Sequence, residues 1–119
     1  AHGLSMIEPR LASHILVSGL IRQAEAHGAF AAVLRKGDRT AGAILLLRRE
    51  KGQNPALFER FPSLDGPAQW TQITMEDIEI EQKISDYLDR RAGRDPDIWV
   101  LELDVPSAER FTAILASMN

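Results

Sequence analysis

Apolar positions between Leu11 and His27 recur at helical spacing. Ala12, Ile15, Leu16, Leu20 and Ala24 sweep a wide arc and leave a narrow stripe of His14, Ser18, Arg22 and Glu25. An arc that broad predicts a helix lying on a sheet with one thin face in water. Pro9 suits the first turn, where its missing N–H costs nothing, and Gly28 supplies the left-handed stop.

The spacing then changes. Ala29 to Lys36 and Gly42 to Arg49 are apolar runs joined by Gly37-Asp38-Arg39-Thr40-Ala41. Glycine and aspartate suit a tight reversal, so the pattern predicts a β-hairpin. Lys51-Gly52-Gln53-Asn54 predicts the next turn. Ala56 to Phe61 alternates as a third strand, with Leu57, Glu59 and Phe61 on one face and Phe58 and Arg60 on the other. Residues 62–67 form a Pro/Gly break, and Gln69 to Ile73 reads as a short fourth strand. A second helix is expected after a Thr74 cap, with Glu76, Asp77, Glu79 and Glu81 near its start and Arg90 and Arg91 at its end, as the helix dipole favours. Ile80, Ile84, Tyr87 and Leu88 share its apolar face, and Gly93 ends it.

Ile98 to Leu103 is apolar on both faces, which predicts a strand inside a sheet. Its lead-in, Arg94-Asp95-Pro96-Asp97, is a charged and stiffened turn that would sit at the mouth of the core. Pro106 starts a last helix with Phe111, Ile114, Leu115 and Met118 at helical spacing. The predicted order is α-β-β-β-β-α-β-α: a single α+β domain, its sheet mostly antiparallel and covered by helices, with the fifth strand inserted after a helical crossover.

The chain of 119 residues suits one domain, and Ala1–Ser5, ahead of Met6, read as a vector-derived remnant that leaves 6–119 as the domain. The absence of cysteine removes disulfides, thiolate zinc sites and cysteine nucleophiles, and suits a reducing cytosol. No apolar run approaches the ~20 residues that cross a bilayer, so a cytoplasmic location is expected. Net charge is −3, unevenly spread. Residues 35–60 hold seven basic and three acidic side chains, and residues 61–104 hold four and eleven. Two such segments are expected to face each other within the fold or across a dimer.

Three segments resemble one family: Arg10-Leu11-Ala12-Ser13-His14-Ile15, the stretch Arg35 to Ala43, and Arg94-Asp95-Pro96-Asp97-Ile98-Trp99-Val100-Leu101-Glu102. Together they are similar to the small alphaproteobacterial family catalogued as domain of unknown function 1491, over most of the chain from Pro9 to about Phe111. The resemblance implies a compact bacterial protein and brings no activity, cofactor or catalytic residue with it.

Asp95, Asp97, Glu102 and Asp104 suggest a hard-cation site, but strand alternation does not make the four converge. Turn capping by Asp95 and an ion pair from Asp97 to an arginine of the hairpin are the favoured roles. His14 stands one helical turn from Ser18, a pairing that a solvated helix face also produces. Ser18 lacks a glycine-flanked elbow. His27 reads as a helix cap. Trp99 reads as a core anchor whose N–H needs an acceptor, with an aromatic floor for a planar ligand as its alternative. Asp38 and Arg39 would sit at the hairpin tip, shaping the turn or binding a partner.

The reading these features favour is a protein-interaction or self-associating module, with a protein or a second copy as partner, no cofactor, no metal and no membrane. Asp95, Asp97, Trp99, Arg35, Asp38 and Arg39 are its candidate interaction residues, and no catalytic residue stands out. One alternative is a small-ligand- or metal-binding enzyme near Asp95, Asp97 and Trp99. Another, less favoured, is RNA binding through Arg35, Arg39, Arg48 and Arg49.

Overall fold

The computed structural model describes residues 12–61, 69–75 and 80–118, with residue 61 entering through its backbone alone. Along the chain run α1 (Ser13–Ala26), β1 (Phe30–Arg35), β2 (Ile44–Glu50), β3 (Gln53–Phe61), β4 (Gln69–Ile73), α2 (Ile80–Arg94), β5 (Trp99–Val105) and α3 (Ala108–Ala116). The order matches the α+β succession expected from the pattern. Residues 1–5, expected to be a vector-derived remnant, Pro9, Leu11, the 62–67 break, the Phe61 side chain and the acids at 76–79 that Thr74 was expected to cap lie outside the described residues.

The five strands form one sheet in the order β1-β5-β2-β3-β4. β5 is antiparallel to β1 and parallel to β2, and the pairs β2–β3 and β3–β4 are antiparallel. Here the structure corrects the sequence: residues 29–36 and 42–49 are not a hairpin, because β5 lies between their strands. The Gly-Asp signal specifies a reversal and says nothing about pairing. A strand apolar on both faces gains most where neighbours flank it on each side, so β5 takes an interior position between β1 and β2. The turn that is a tight hairpin is β2–β3. Lys51 and Gly52 have φ of +52° and +78°. Two successive left-handed residues are the two-residue loop that matches strand twist.

Helices cover both faces. Leu16, Val17, Leu20 and Ala24 of α1, with Phe111 and Ile114 of α3, pack on Leu46, Trp99, Leu101 and Leu103. On the opposite face, Ile84 of α2 meets Leu47 and Leu57, while Tyr87 and Leu88 cover Leu45, Ile98 and Val100. Each fully buried Leu, Ile, Val or Phe among them contributes roughly 1.5–3 kcal/mol. Ser107 caps α3 by accepting from the Arg110 amide at 3.2 Å, and His27 is the C-cap of α1, as expected.

The uneven charge is also resolved within the fold. Arg49 binds Glu102 at 2.6 Å and Glu81 of α2 at 2.7 Å. Arg91 of α2 reaches Glu59 of β3 at 2.6 Å. Arg49 thus joins the basic segment to two acids of the acidic one, while Arg91–Glu59 pairs a helix cation with a strand carboxylate.

Candidate functional site

The lead-in to β5 is held by main-chain groups more than by its charges. The Asp38 amide donates to the Asp97 carbonyl at 2.9 Å, and the Trp99 amide donates to the Ala43 carbonyl at 2.8 Å. The Trp99 indole N–H donates to the Asp38 carbonyl at 2.7 Å. The segment from residue 37 to residue 42 thus wraps the start of β5. Gly37 and Gly42 make the wrap possible, because a Cβ on either would overlap the Asp97 carbonyl oxygen and crowd the Trp99 ring. The backbone passes where a side chain has no room.

The same segment caps α1. Ser13 and His14 donate their amides to the carbonyls of Thr40 and Arg39 at 3.1 and 2.9 Å. These are two of the donors that a helix start leaves without an intrahelical partner. The Ser13 hydroxyl, buried, donates to the Gly42 carbonyl at 2.6 Å. One loop therefore ties the α1 N terminus to the β5 entry.

The candidate side chains take distinct places around it. Asp38 accepts from the amides of Thr40 and Ala41 at 3.1 and 2.8 Å, shaping the loop. Asp95 accepts from the Asp97 amide at 3.2 Å, which closes the turn before β5. Arg35 donates to the Pro96 carbonyl at 3.2 Å, where an Asp97 ion pair was expected. A carbonyl replaces the carboxylate because the Asp97 side chain lies at the solvent. Arg39 is exposed, and its carbonyl rather than its guanidinium holds His14. Trp99 is buried against the α1–α3 core. The cavities by Leu57 and Ile84 and by Tyr87 and Arg90 are not lined by Trp99.

Glu102 and Asp104 point elsewhere: Glu102 to Arg49, and Asp104 to the Gly52 amide at 3.0 Å. Among the described residues no three His, Asp or Glu side chains gather as a metal site would require. The Ser18 hydroxyl donates to the His14 carbonyl at 2.9 Å, the ordinary backbone bond of a helical serine. Arg48 and Arg49 project to opposite sides of β2. Arg49 meets α2, and Arg48 lies over the rings of Phe58 and Phe111 at 5.7 and 5.6 Å. They do not add to one basic surface. Hydrogen bonds donated to Glu81 and Glu102 hold the Arg49 pKa above its ordinary value, and Arg49 in turn holds the Glu81 pKa below its ordinary value. A cavity of about 370 Å³ lies by Leu57, Ile73, Met75, Ile80 and Ile84, and none of its described lining residues titrates.

What the sequence reading passed over is β1. It is an edge strand with four of its six residues exposed, while Ala31 and Arg35 are half-buried. Phe30 is 81% exposed, Leu34 50% and Val33 44%. They supply three of the four large exposed apolar side chains among the described residues, Ile15 being the fourth. The signal was legible in Phe30-Ala31-Ala32-Val33-Leu34, an apolar run with no alternation. That run reads as one strand of a hairpin, which leaves open whether its other side is covered.

These features define a small α+β domain with a mixed five-stranded sheet, helices on both faces and one bare apolar edge. The chain belongs to the DUF1491 family, described as a protein of unknown function, whose model matches residues 11–113. It is similar to the crystal structure of a DUF1491 family protein from Caulobacter crescentus CB15, at 38% identity and TM-score 0.75, over 86% of this chain and 94% of that one. An NMR structure of a DUF1491 family protein from that organism gives a TM-score of 0.72 at 38% identity, over 85% and 91%. A solution structure of a protein from A. tumefaciens gives 0.69 at 28% identity, over 89% and 92%. No curated protein matches the chain.

Proposed function

We propose that this protein is a cytosolic interaction module that binds polypeptide by adding a strand to β1. The observation that carries the reading is the exposure of Phe30, Val33 and Leu34 on an open sheet edge. An edge strand offers a row of unpaired N–H and C=O groups, and apolar side chains beside them supply affinity. Soluble proteins usually protect such edges with charge or proline, and Phe30–Leu34 has neither. The other edge, β4, is Gln69-Trp70-Thr71-Gln72-Ile73 and is more polar. The loop at the β5 entry, with Asp38, Asp95 and Trp99, then serves as the brace that holds α1 and β5 and so fixes the sheet next to the edge. No described helix is long and apolar enough to cross a membrane.

The test is selection of randomised extended peptides against the protein, followed by amide hydrogen exchange. Peptides that protect β1 amides and lose binding to Val33→Lys support the module. Selected peptides that map to another surface, or bind Val33→Lys equally well, sink it. The enzyme reading is tested by thermal shift with divalent metals and nucleotides, in which an interaction module does not move.

A further inference from the structure

The unbroken part of the β1 ladder carries a charge pattern of its own. Phe30, Ala31, Ala32 and Val33 pair in step with Asp104, Leu103, Glu102 and Leu101, and the register shifts only beyond Val33. Leu101 and Leu103 belong to the α1–α3 core, so Ala31 and Val33 stand on that face. Glu102 binds Arg49, which binds Glu81 of α2, so Glu102 and its partner Ala32 stand on the other face. Strand alternation puts Phe30 and Asp104 there too. Along the open edge, the α2 face is therefore a shelf of Phe30 and Ala32 backed by two carboxylates.

Distances decide what can lie on that shelf. An added strand stands about 4.8 Å outside β1 and about 10 Å from β5. From there a short side chain stops over Ala32, and only a long one reaches Glu102. The Ala32 methyl group is exposed and leaves the way open. A Lys or Arg stem crosses it, with its charge at the carboxylates and its methylenes against the Phe30 ring, which is 81% exposed. Arg49 engages one oxygen of Glu102 and the Gly52 amide one of Asp104, and both acids stay partly open to solvent.

The surrounding charge also favours a cation. Arg49 is shared by Glu81 and Glu102, and Lys51 is exposed in the turn beside Asp104, so the acids on this side outnumber the cations. At the Phe30 end, Glu25 lies in the last turn of α1, whose C-terminal pole is negative as well. Arg35 is turned to the Pro96 carbonyl, and Lys36 follows the register shift. An acidic segment over Ala32 meets like charge.

Resting on the strand-addition reading, we infer that the segment added to β1 is basic: an extended polypeptide with Lys or Arg on the face of Ala32 and apolar residues around it.

Displayed random peptides, selected against the wild type and against Glu102→Gln/Asp104→Asn, test the inference, with amide exchange locating each pool. The double variant keeps acceptors for Arg49 and for the Gly52 amide and removes both charges. Wild-type pools are expected to protect β1 amides and to be enriched in Lys or Arg, and pools from the double variant to lose that enrichment. Replacing the basic residue of a selected peptide by norleucine is expected to weaken binding to the wild type about fivefold and to the double variant less than about twofold. Ala32→Lys changes an exposed position and reads the same contact if the double variant melts early. It is expected to disfavour basic peptides against their norleucine forms by about fivefold relative to the wild type.

Pools that protect β1 without a basic preference, or with an acidic one, overturn the inference and leave strand addition standing. So does a basic preference that survives in both variants, because the cation then contacts something other than Glu102 and Asp104. Pools that protect no β1 amide sink both readings.

Discussion

The indole N–H of Trp99 donates to the main-chain carbonyl of Asp38 at 2.7 Å, joining residues 61 apart in sequence. A buried aromatic thereby anchors a loop that also caps α1 and encloses the first turn of β5. The carboxylates that make this region conspicuous in the sequence act through turn geometry, and the main chain makes the long-range links. Removing the indole N–H while keeping a large ring isolates that bond. Trp99→Phe is expected to lose about 1–3 kcal/mol, from an unpaired carbonyl and a small void. Urea unfolding with an unchanged m-value checks it, and a loss below the error of the fit would show the bond to be idle.

Glycine substitutions should separate packing from helix propensity. Gly37→Ala and Gly42→Ala push a methyl group into the Asp97 carbonyl, so each is expected to cost about 2–3 kcal/mol or to block folding. Gly93→Ala meets open space near the end of α2 and is expected to stabilise by up to about 1 kcal/mol. Melting temperatures of the three variants decide the matter.

The Arg91–Glu59 pair offers a double-mutant cycle. Glu59 is buried, and Arg91 donates to both its oxygens at 2.6 and 2.8 Å and to the Tyr87 hydroxyl at 2.8 Å. Arg91→Met strands a carboxylate in the sheet and is expected to cost about 3 kcal/mol. Combining it with Glu59→Leu is expected to recover most of that loss, because both desolvated charges are gone. Denaturant midpoints of the single and double variants give the coupling directly.

Stability should also report Glu81 through pH. Hydrogen bonding to Arg49 depresses its folded pKa below the unfolded value. The carboxylate form is the one that binds, so its contribution is complete above the unfolded pKa of about 4.3 and is lost as pH falls through the lower folded value. The stability gap between wild type and Glu81→Gln is expected to be small, because Glu81 is largely exposed, and to close as pH falls from about 4.3 through the lower folded value. A gap that widens on acidification would contradict this linkage.

Ser13→Ala removes the hydroxyl that binds the Gly42 carbonyl, and a cost of about 1–2 kcal/mol is expected. Faster amide exchange at the α1 N terminus and in residues 37–42 together would show that the loop and helix end open as one unit.

Much of this was legible in the chain. Leu16, Leu20 and Ala24 identify the buried face of α1, and the same spacing gives Phe111 and Ile114 on α3. Asp38 and Asp95 were readable as turn formers because their side chains bond amides two or three residues away. The Arg35–Asp97 ion pair was not found, since sequence separation does not reveal whether an arginine meets a side chain or a carbonyl. The turn read at Lys51-Gly52-Gln53-Asn54 contains the observed hairpin loop, Lys51-Gly52, and its last two residues already belong to β3, where Asn54 keeps a positive φ.

The sequence by itself determined the element order, the helix faces and the apolar character of residues 98–103, because helix and strand periodicities are local properties of a chain. Only the tertiary structure decided which strands are neighbours. Phe30–Leu34 and Trp99–Leu103 are both apolar runs of similar length, and nothing local ranks one above the other for the interior. The parallel β5–β2 pairing and the closure of the 37–42 loop on β5 place one run between two neighbours and leave the other at the rim. That choice rests on contacts some sixty residues apart, which no window of sequence contains.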